Sequence, residues 1–197
     1  MKKITIIVGL SGSGKSYLAQ TLLSKINIPF RYEADWGAVG NCDVDNKGNI
    51  QGSFTNDNRF KHLFNHIKKG MYVILDGAYF CNHKFLCEAE YYLNLNFPGI
   101  EITKYYFENN PKDAIANILY REHAAGNHWK RVDGELIFFG HHYTQEGPDF
   151  GRRNYEVLIE NVNKLSKNYI IPTKYIPLKI QVQDEKFYQG WEALMRE

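Results

Sequence analysis

Gly9-Leu10-Ser11-Gly12-Ser13-Gly14-Lys15-Ser16 satisfies the pattern G-x-x-x-x-G-K-[ST] at every fixed position. Its surroundings matter as much as its letters. Ile4 to Val8, just before it, is a short apolar and largely β-branched run that predicts a buried strand. Leu18, Leu22 and Leu23, just after it, share one side of a helix expected to reach about Lys25. A strand, a glycine-rich turn and a helix in that order make an anion cradle. The glycines let backbone N–H groups converge on phosphate oxygens at the positive end of the helix. Gly9, Leu10, Ser11, Gly12, Ser13, Gly14, Lys15, Ser16 and Tyr17 are therefore the candidate nucleotide-binding residues. Lys15 is expected to reach the terminal phosphates, and the Ser16 hydroxyl to join the shell of a Mg²⁺ ion. A chance flexible Gly/Ser turn is the plain alternative.

Further along the chain, strand and helix patterns alternate. Phe30 to Ala34 predicts a second strand, ending at Asp35. Asn41 to Phe54 is rich in Asn, Asp and Gly and predicts a hairpin about Asn46-Lys47-Gly48. Phe60, Leu63, Phe64 and Ile67 follow helical spacing, and Lys68-Lys69-Gly70 ends that helix. Met71 to Leu75 predicts a strand, and Asn82 caps a helix carrying Leu86, Ala89 and Leu93. Ile100 to Phe107 predicts another strand. Asn110-Pro111 then opens a helix that ends near Gly126. A last helix runs from about Arg152 through Tyr155, Leu158, Val162 and Leu165. Ile176, Leu178, Ile180 and Val182 alternate strictly and predict a strand near a sheet edge. The repeated strand–helix order favours an α/β fold with a mainly parallel central sheet in three layers.

A phosphate loop binds a nucleotide without naming the reaction. Met71-Tyr72-Val73-Ile74-Leu75-Asp76 is an apolar strand ending in an acid, the setting in which a carboxylate supports Mg²⁺. Gly77 comes directly after Asp76, so the adjacent glutamate that hydrolytic motors use is missing. The guanine-reading motif Asn-Lys-x-Asp is missing too, since Asn46-Lys47-Gly48-Asn49 ends in Asn and comes too early. Motor ATPase and GTPase readings lose ground to a kinase.

A kinase needs a carboxylate to accept the proton of the acceptor hydroxyl. Asp35 suits that role, because strand carboxyl ends face the ligand crevice of an open parallel sheet. Glu33 is the competitor, and a turn-capping role for Asp35 is the plain alternative. Positive charge must also close over the transferring group. Arg121, Lys130 and Arg131 flank a Gly-containing stretch, so a basic lid is expected over about residues 121–133. Arg152 and Arg153 open a predicted helix, where the macrodipole disfavours cations, which suggests an anionic ligand. Trp36, Trp129, Tyr143 and Phe150 are candidates to stack on a base, against the commoner reading of each as core. Asp43, Asp45 and Gly48 imitate the start of a calcium loop, but Phe54 stands where its bidentate Glu is needed.

On the strength of Gly9 to Ser16, Asp35, Asp76 and the basic stretch Arg121 to Arg131, the chain resembles the small P-loop kinases, and among them the polynucleotide-kinase branch. The resemblance covers about residues 1–135. It implies a P-loop NTPase domain, ATP and Mg²⁺ as cofactors, and Asp35 as the base that activates the acceptor. It also implies that Arg121 and Arg131 contact ATP phosphates. Such enzymes commonly carry an arginine soon after the aspartate to grip the substrate phosphate; here Trp36-Gly37-Ala38-Val39 stands instead. The Pro-Arg that nucleoside monophosphate kinases carry shortly after their Asp-Gly is likewise replaced, by Tyr79-Phe80-Cys81. Some bacteriophage enzymes of similar build phosphorylate a hydroxymethylated base within DNA, an acceptor that would suit this departure.

Composition sets the outer limits. The 197 residues suit one domain, with acceptor-binding additions expected about residues 36–56 and 134–170 and with Trp36, Arg152 and Arg153 as substrate contacts. Lys and Arg number 24 against 22 Asp and Glu, so a global positive field for nucleic acid is absent and any basic surface must be local. The 3 cysteines give no disulfide framework and favour a reducing cytoplasm, and no stretch is long and apolar enough for a membrane span. The expected activity is transfer of the γ-phosphate of ATP to a hydroxyl of a nucleic acid, at a chain end or a modified base, with DNA as the favoured partner. A kinase of a free nucleoside, nucleotide or other small metabolite stays open, as does a nucleotide-binding ATPase or regulatory module.

Overall fold

A computed structural model describes residues 2–38, 42–140 and 150–196, with backbone alone for 150–155, 188, 191 and 195. Its centre is a parallel sheet of β1 (Lys3–Val8), β2 (Phe30–Glu33), β5 (Tyr72–Gly77) and β6 (Glu101–Tyr106), in the order β2-β5-β1-β6. Ile4, Ile6, Ile7, Val73, Ile74 and Leu75 are wholly buried. That is why β1 and β5 read as continuous apolar runs: both faces of a parallel sheet are covered.

Helices flank the sheet: α1 (Lys15–Leu23), α2 (Phe60–Lys68), α3 (His83–Asn96) and α4 (Pro111–Ala124), followed by α5 (Phe150–Ser166) and α6 (Glu185–Arg196). The fold is α/β, consistent with three layers. The caps follow sequence logic. The Asn82 side chain accepts from the N–H groups of Lys84 and Phe85, and Asn110 accepts from Asp113 N ahead of Pro111 at the first turn. Among the described residues no helix is long and apolar enough to cross a membrane.

The Asn-rich stretch forms the expected hairpin, with β3 (Asp43–Val44) and β4 (Ile50–Gln51) antiparallel. Its turn is docked on the end of α5. Lys167 Nζ donates to Asn46 O at 2.8 Å, and Asn168 Nδ2 donates to Lys47 O at 2.7 Å.

One expected segment takes a definite form, and one expectation is corrected. The stretch expected as a basic lid after α4 is a second hairpin, β7 (His128–Val132) and β8 (Glu135–Phe139), paired antiparallel. Asp133 (φ 51°) and Gly134 (φ 86°) make its turn, and two positive φ angles match the right-handed twist of paired strands. The alternating run 176–182 is not a strand. Only Leu178 pairs, bridging to Phe107, with its N–H on Tyr106 O at 2.7 Å. Pro177 has no N–H to give. Glu108 takes the Ile180 N–H at 2.9 Å, and the Asn117 side chain binds Gln181 O and Gln183 N. Side chains, not a neighbouring strand, hold this strap, and Ile176 is left 94% exposed.

Candidate active site

The glycine-rich loop, the candidate phosphate loop, turns from β1 into α1 with Gly12 (φ 85°) and Gly14 (φ 99°) left-handed. A Cβ on Gly12 would lie 2.1 Å from Ala114 O of α4, so this glycine is needed for both its φ and its lack of a side chain. Lys15 begins α1 and is buried, its Nζ donating to Leu10 O at 2.9 Å. The Ser13 hydroxyl is buried without a partner among the described residues, within the same loop. A donor set of this kind suits phosphate oxygens.

β5 brings Asp76 to the same place, one strand away. Its carboxylate has no solvent exposure. Oδ2 accepts from the Tyr32 hydroxyl and, at 3.5 Å, from Ser16 Oγ; Oδ1 accepts the backbone N–H of Asp35 at 2.9 Å. Burial first, and the Asp76 carboxylate second, push the Tyr32 phenol well above its usual range, so it stays a donor. Ser16 and Asp76 fit a small hard cation that takes one hydroxyl and leaves its other positions to phosphate oxygens and water.

Asp35 follows β2 in a left-handed conformation (φ 49°), exposed and on the wall of the cleft. The turn carrying it is tied on every side. Trp36 N donates to Asp76 O at 2.7 Å, and Gly37 N to Asp57 Oδ2 at 2.8 Å. Arg59 donates to Ala34 O at 2.7 Å and to Asp35 O at 3.2 Å. The same guanidinium binds both oxygens of Asp57, at 2.9 and 2.7 Å. Burial alone would raise the Asp57 pKa, but hydrogen bonds from Arg59 and Gly37 outweigh it and hold the group below the usual carboxylate range. Glu33, the competitor for Asp35, is buried and ion-paired to Arg31 at 2.7 Å and Arg59 at 3.4 Å, away from the cleft.

These groups open on a cleft of about 920 Å³ at the carboxyl ends of the strands. Ser11 to Tyr17, Asp35 and Arg121 all line it. So does the strap 178–183, which Asn117 fastens to the phosphate loop: Nδ2 donates to Gly12 O at 3.0 Å and to Gln181 O at 2.9 Å, while Oδ1 accepts from Gln183 N at 2.8 Å.

Other sequence candidates stand elsewhere. Arg121 is exposed at the rim beside Glu122, at 3.2 Å. Arg131 does not line the cleft; it donates to Gly134 O at 2.8 Å and to Leu194 O of α6 at 3.2 Å, which uses its fork to tie the hairpin to α6. Trp36 is corrected: its indole is wholly buried, stacked on Phe54 at 5.2 Å with its N–H on Phe54 O, so it underlies the cleft and offers no face to a ligand. Trp129, on β7, meets Phe138 edge to face at 5.3 Å. Arg152 and Arg153 fall in the first turn of α5, with side chains outside the described residues; so does the Phe150 side chain, and Tyr143 lies outside them altogether.

Sequence reading missed Tyr32, Arg59 and Asn117. Each acts through contacts far along the chain. The one readable signal was Asp133-Gly134 between two short alternating runs, a hairpin mark overshadowed by the charges beside it. Cys81 lies beneath the loop, and burial pushes its thiol up to about 12, which keeps it neutral. No protein-family model matches this chain, and no curated protein matches its sequence.

Proposed function

We propose that the protein is a kinase that moves the γ-phosphate of ATP onto a hydroxyl of a nucleic acid, at a chain end or on a hydroxymethylated base, with Asp35 as general base. One observation carries the reading. Ser16 of the phosphate loop and the backbone of Asp35 bond the two oxygens of one buried carboxylate, Asp76. The phosphate cradle and the base are thereby held in one frame across the mouth of the cleft.

In this reading the loop amides and Lys15 bind the β- and γ-phosphates, with Lys15 exchanging its Leu10 carbonyl for phosphate oxygen. Ser16 and Asp76 would hold Mg²⁺, whose charge would offset that of the phosphates. Asp35 accepts the acceptor proton as the acceptor oxygen bonds to phosphorus and the bond to the β–γ bridging oxygen breaks. ADP leaves and the acceptor becomes a phosphomonoester. Arg121 at the rim supplies further positive charge to the triphosphate side.

The test uses γ-labelled ATP with 5′-hydroxyl DNA, 5′-hydroxyl RNA, base-hydroxymethylated DNA and free nucleosides. Label in a nucleic acid, lost in Asp35→Ala with ATP affinity kept, is the expected result. Label in free nucleosides alone would move the acceptor to a small molecule. Phosphate release without a labelled acceptor would make the protein an ATPase.

A further inference from the structure

Beyond Asp35, the wall of the cleft changes character. Ala38, Ala78 and Tyr79 form it on one side, and Leu158 and Asn161 of α5 line the cleft as well. α5 packs on the short 3₁₀ turn Ala78–Cys81, which brings these residues into one neighbourhood. The Tyr79 ring is fixed there. A Cβ on Gly37 would come within 2.9 Å of it, Phe85 lies 6.0 Å away ring to ring, and its hydroxyl donates to Cys42 O at 3.1 Å. A rigid aromatic ring therefore sits directly on the turn that presents Asp35. The Asn161 amide, partly exposed, makes no hydrogen bond among the described residues and keeps a donor and an acceptor free.

The charges near Asp35 point inward. Each donor nitrogen of Arg59 is spent on Asp57 or on the carbonyls of Ala34 and Asp35, and the Nε of Arg31 is held by Glu33. A phosphate placed beside the reacting hydroxyl would find the Arg59 fork already engaged and would approach the carboxylate of Asp35, with Asp57 behind it. Like charge and lost hydrogen bonds both oppose it.

We propose that the group received at Asp35 is uncharged, flat and hydroxyl-bearing, of nucleobase or nucleoside type, lying on the Tyr79 ring with its polar edge toward Asn161. This rests on the phosphotransfer reading and narrows its acceptor. An aromatic face takes any base by stacking, and an amide meets a base edge with a paired donor and acceptor. The same chemistry comes from two sources, a free nucleoside or a base exposed from a DNA strand.

The experiment pairs transfer with binding. Acceptors are 5-hydroxymethyl-2′-deoxyuridine, its 3′-phosphate, and a DNA oligonucleotide containing the same base; binding of each to the ADP-loaded protein is read by saturation-transfer NMR. The 3′-phosphate is expected to change kcat/KM by no more than about threefold over the nucleoside. Tyr79→Ala should raise the acceptor KM about tenfold or more, the size of one lost base–ring stack, with the KM for ATP unchanged and Tyr79→Phe like wild type. A preference for the oligonucleotide assigns the base to a polymer, and a preference for the nucleoside to the free pool; either supports the proposal. A gain of about tenfold or more from the 3′-phosphate, or an acceptor KM untouched by Tyr79→Ala, would overturn it. Should no acceptor be phosphorylated, the kinase reading falls separately. Nucleoside binding that Tyr79→Ala abolishes would still uphold the site, and absence of binding by both nucleoside and oligonucleotide would end it.

Discussion

The backbone N–H of Asp35 and the carboxylate of Asp76 are joined by a 2.9 Å hydrogen bond, so the residue offered as base is held by the residue offered as metal support. Asp35 needs that hold because it stands in the left-handed region, which costs an L-residue about 1–2 kcal/mol. Asn and Asp tolerate this region better than other residues, so Asp35→Asn keeps the turn while removing the base. The expected result is a kcat lower by about 10²–10⁴-fold, with ATP affinity and melting temperature close to wild type. Steady-state kinetics beside calorimetric ATP titration check it. A matching loss of ATP affinity would mean that Asp35 serves the nucleotide and not the acceptor.

Arg59 fastens the same turn through its carbonyls. Lysine keeps the charge but lacks the planar fork that reaches Asp57, Ala34 and Asp35 together. Arg59→Lys is expected to lower kcat about tenfold or more, since small misplacements of a reacting group are costly, while the KM for ATP holds. Asp57→Asn, which loosens the fork from its other side, should show the same split. An equal fall in ATP affinity would point to a fold-wide role.

Asn117 joins the phosphate loop to the strap 178–183. Asn117→Ala removes three hydrogen bonds, each worth about 1 kcal/mol, and should raise the KM for ATP more than it lowers kcat. Asn117→Asp should be worse than alanine. Its carboxylate would face Gly12 O and Gln181 O, where the amide now donates at 3.0 and 2.9 Å. Hydrogen exchange across 178–183 reads the loosening directly; unchanged protection would remove the linking role.

Asp57 makes stability depend on pH in one direction. Its pKa is depressed in the folded protein, so the folded state binds fewer protons than the unfolded state across that range. The contribution is complete above the unfolded value of about 3.9 and disappears as pH falls through the lower folded value. Asp57→Asn lacks this contribution at every pH. The gap in melting temperature between wild type and Asp57→Asn should therefore be widest near neutrality and close on acidification. A gap that stays constant below pH about 4 would contradict the assignment.

The strand, glycine-rich loop and helix of residues 3–23 were legible because the whole unit lies within about twenty consecutive residues and uses glycines whose purpose is local. The placement of Asp76 and Asp35 side by side was legible for a related reason: each ends an apolar run, and parallel strands deliver their ends to one side. Arg59 and Asn117 were not. Arg59 sits 24 residues beyond the carbonyl it ties, and Asn117 sits 105 residues beyond Gly12, so no spacing rule links them. The run 176–182 misled because alternation reports which side chains face inward. It cannot report that Glu108 and Asn117 take the hydrogen bonds a neighbouring strand would otherwise make. Trp36 misled in the opposite sense. An aromatic beside a reactive aspartate looks like a stacking platform, yet Phe54 and Arg59 enclose it completely.

The β3–β4 turn grips the carboxyl end of α5, through Lys167 and Asn168, and Tyr169 just beyond is pinned to Phe107 O. This makes α5 a lever with its fulcrum at that end. Residue 153 is 13 positions from Ser166, a span of about 20 Å at 1.5 Å per residue, so a tilt of about 10° carries it by about 3.5 Å. Displacement shrinks toward Asn161 and Leu165, nearer that end. A tilt about that end would move the first turn of α5 far more than the stretch at Asn161 and Leu165 that lines the cleft.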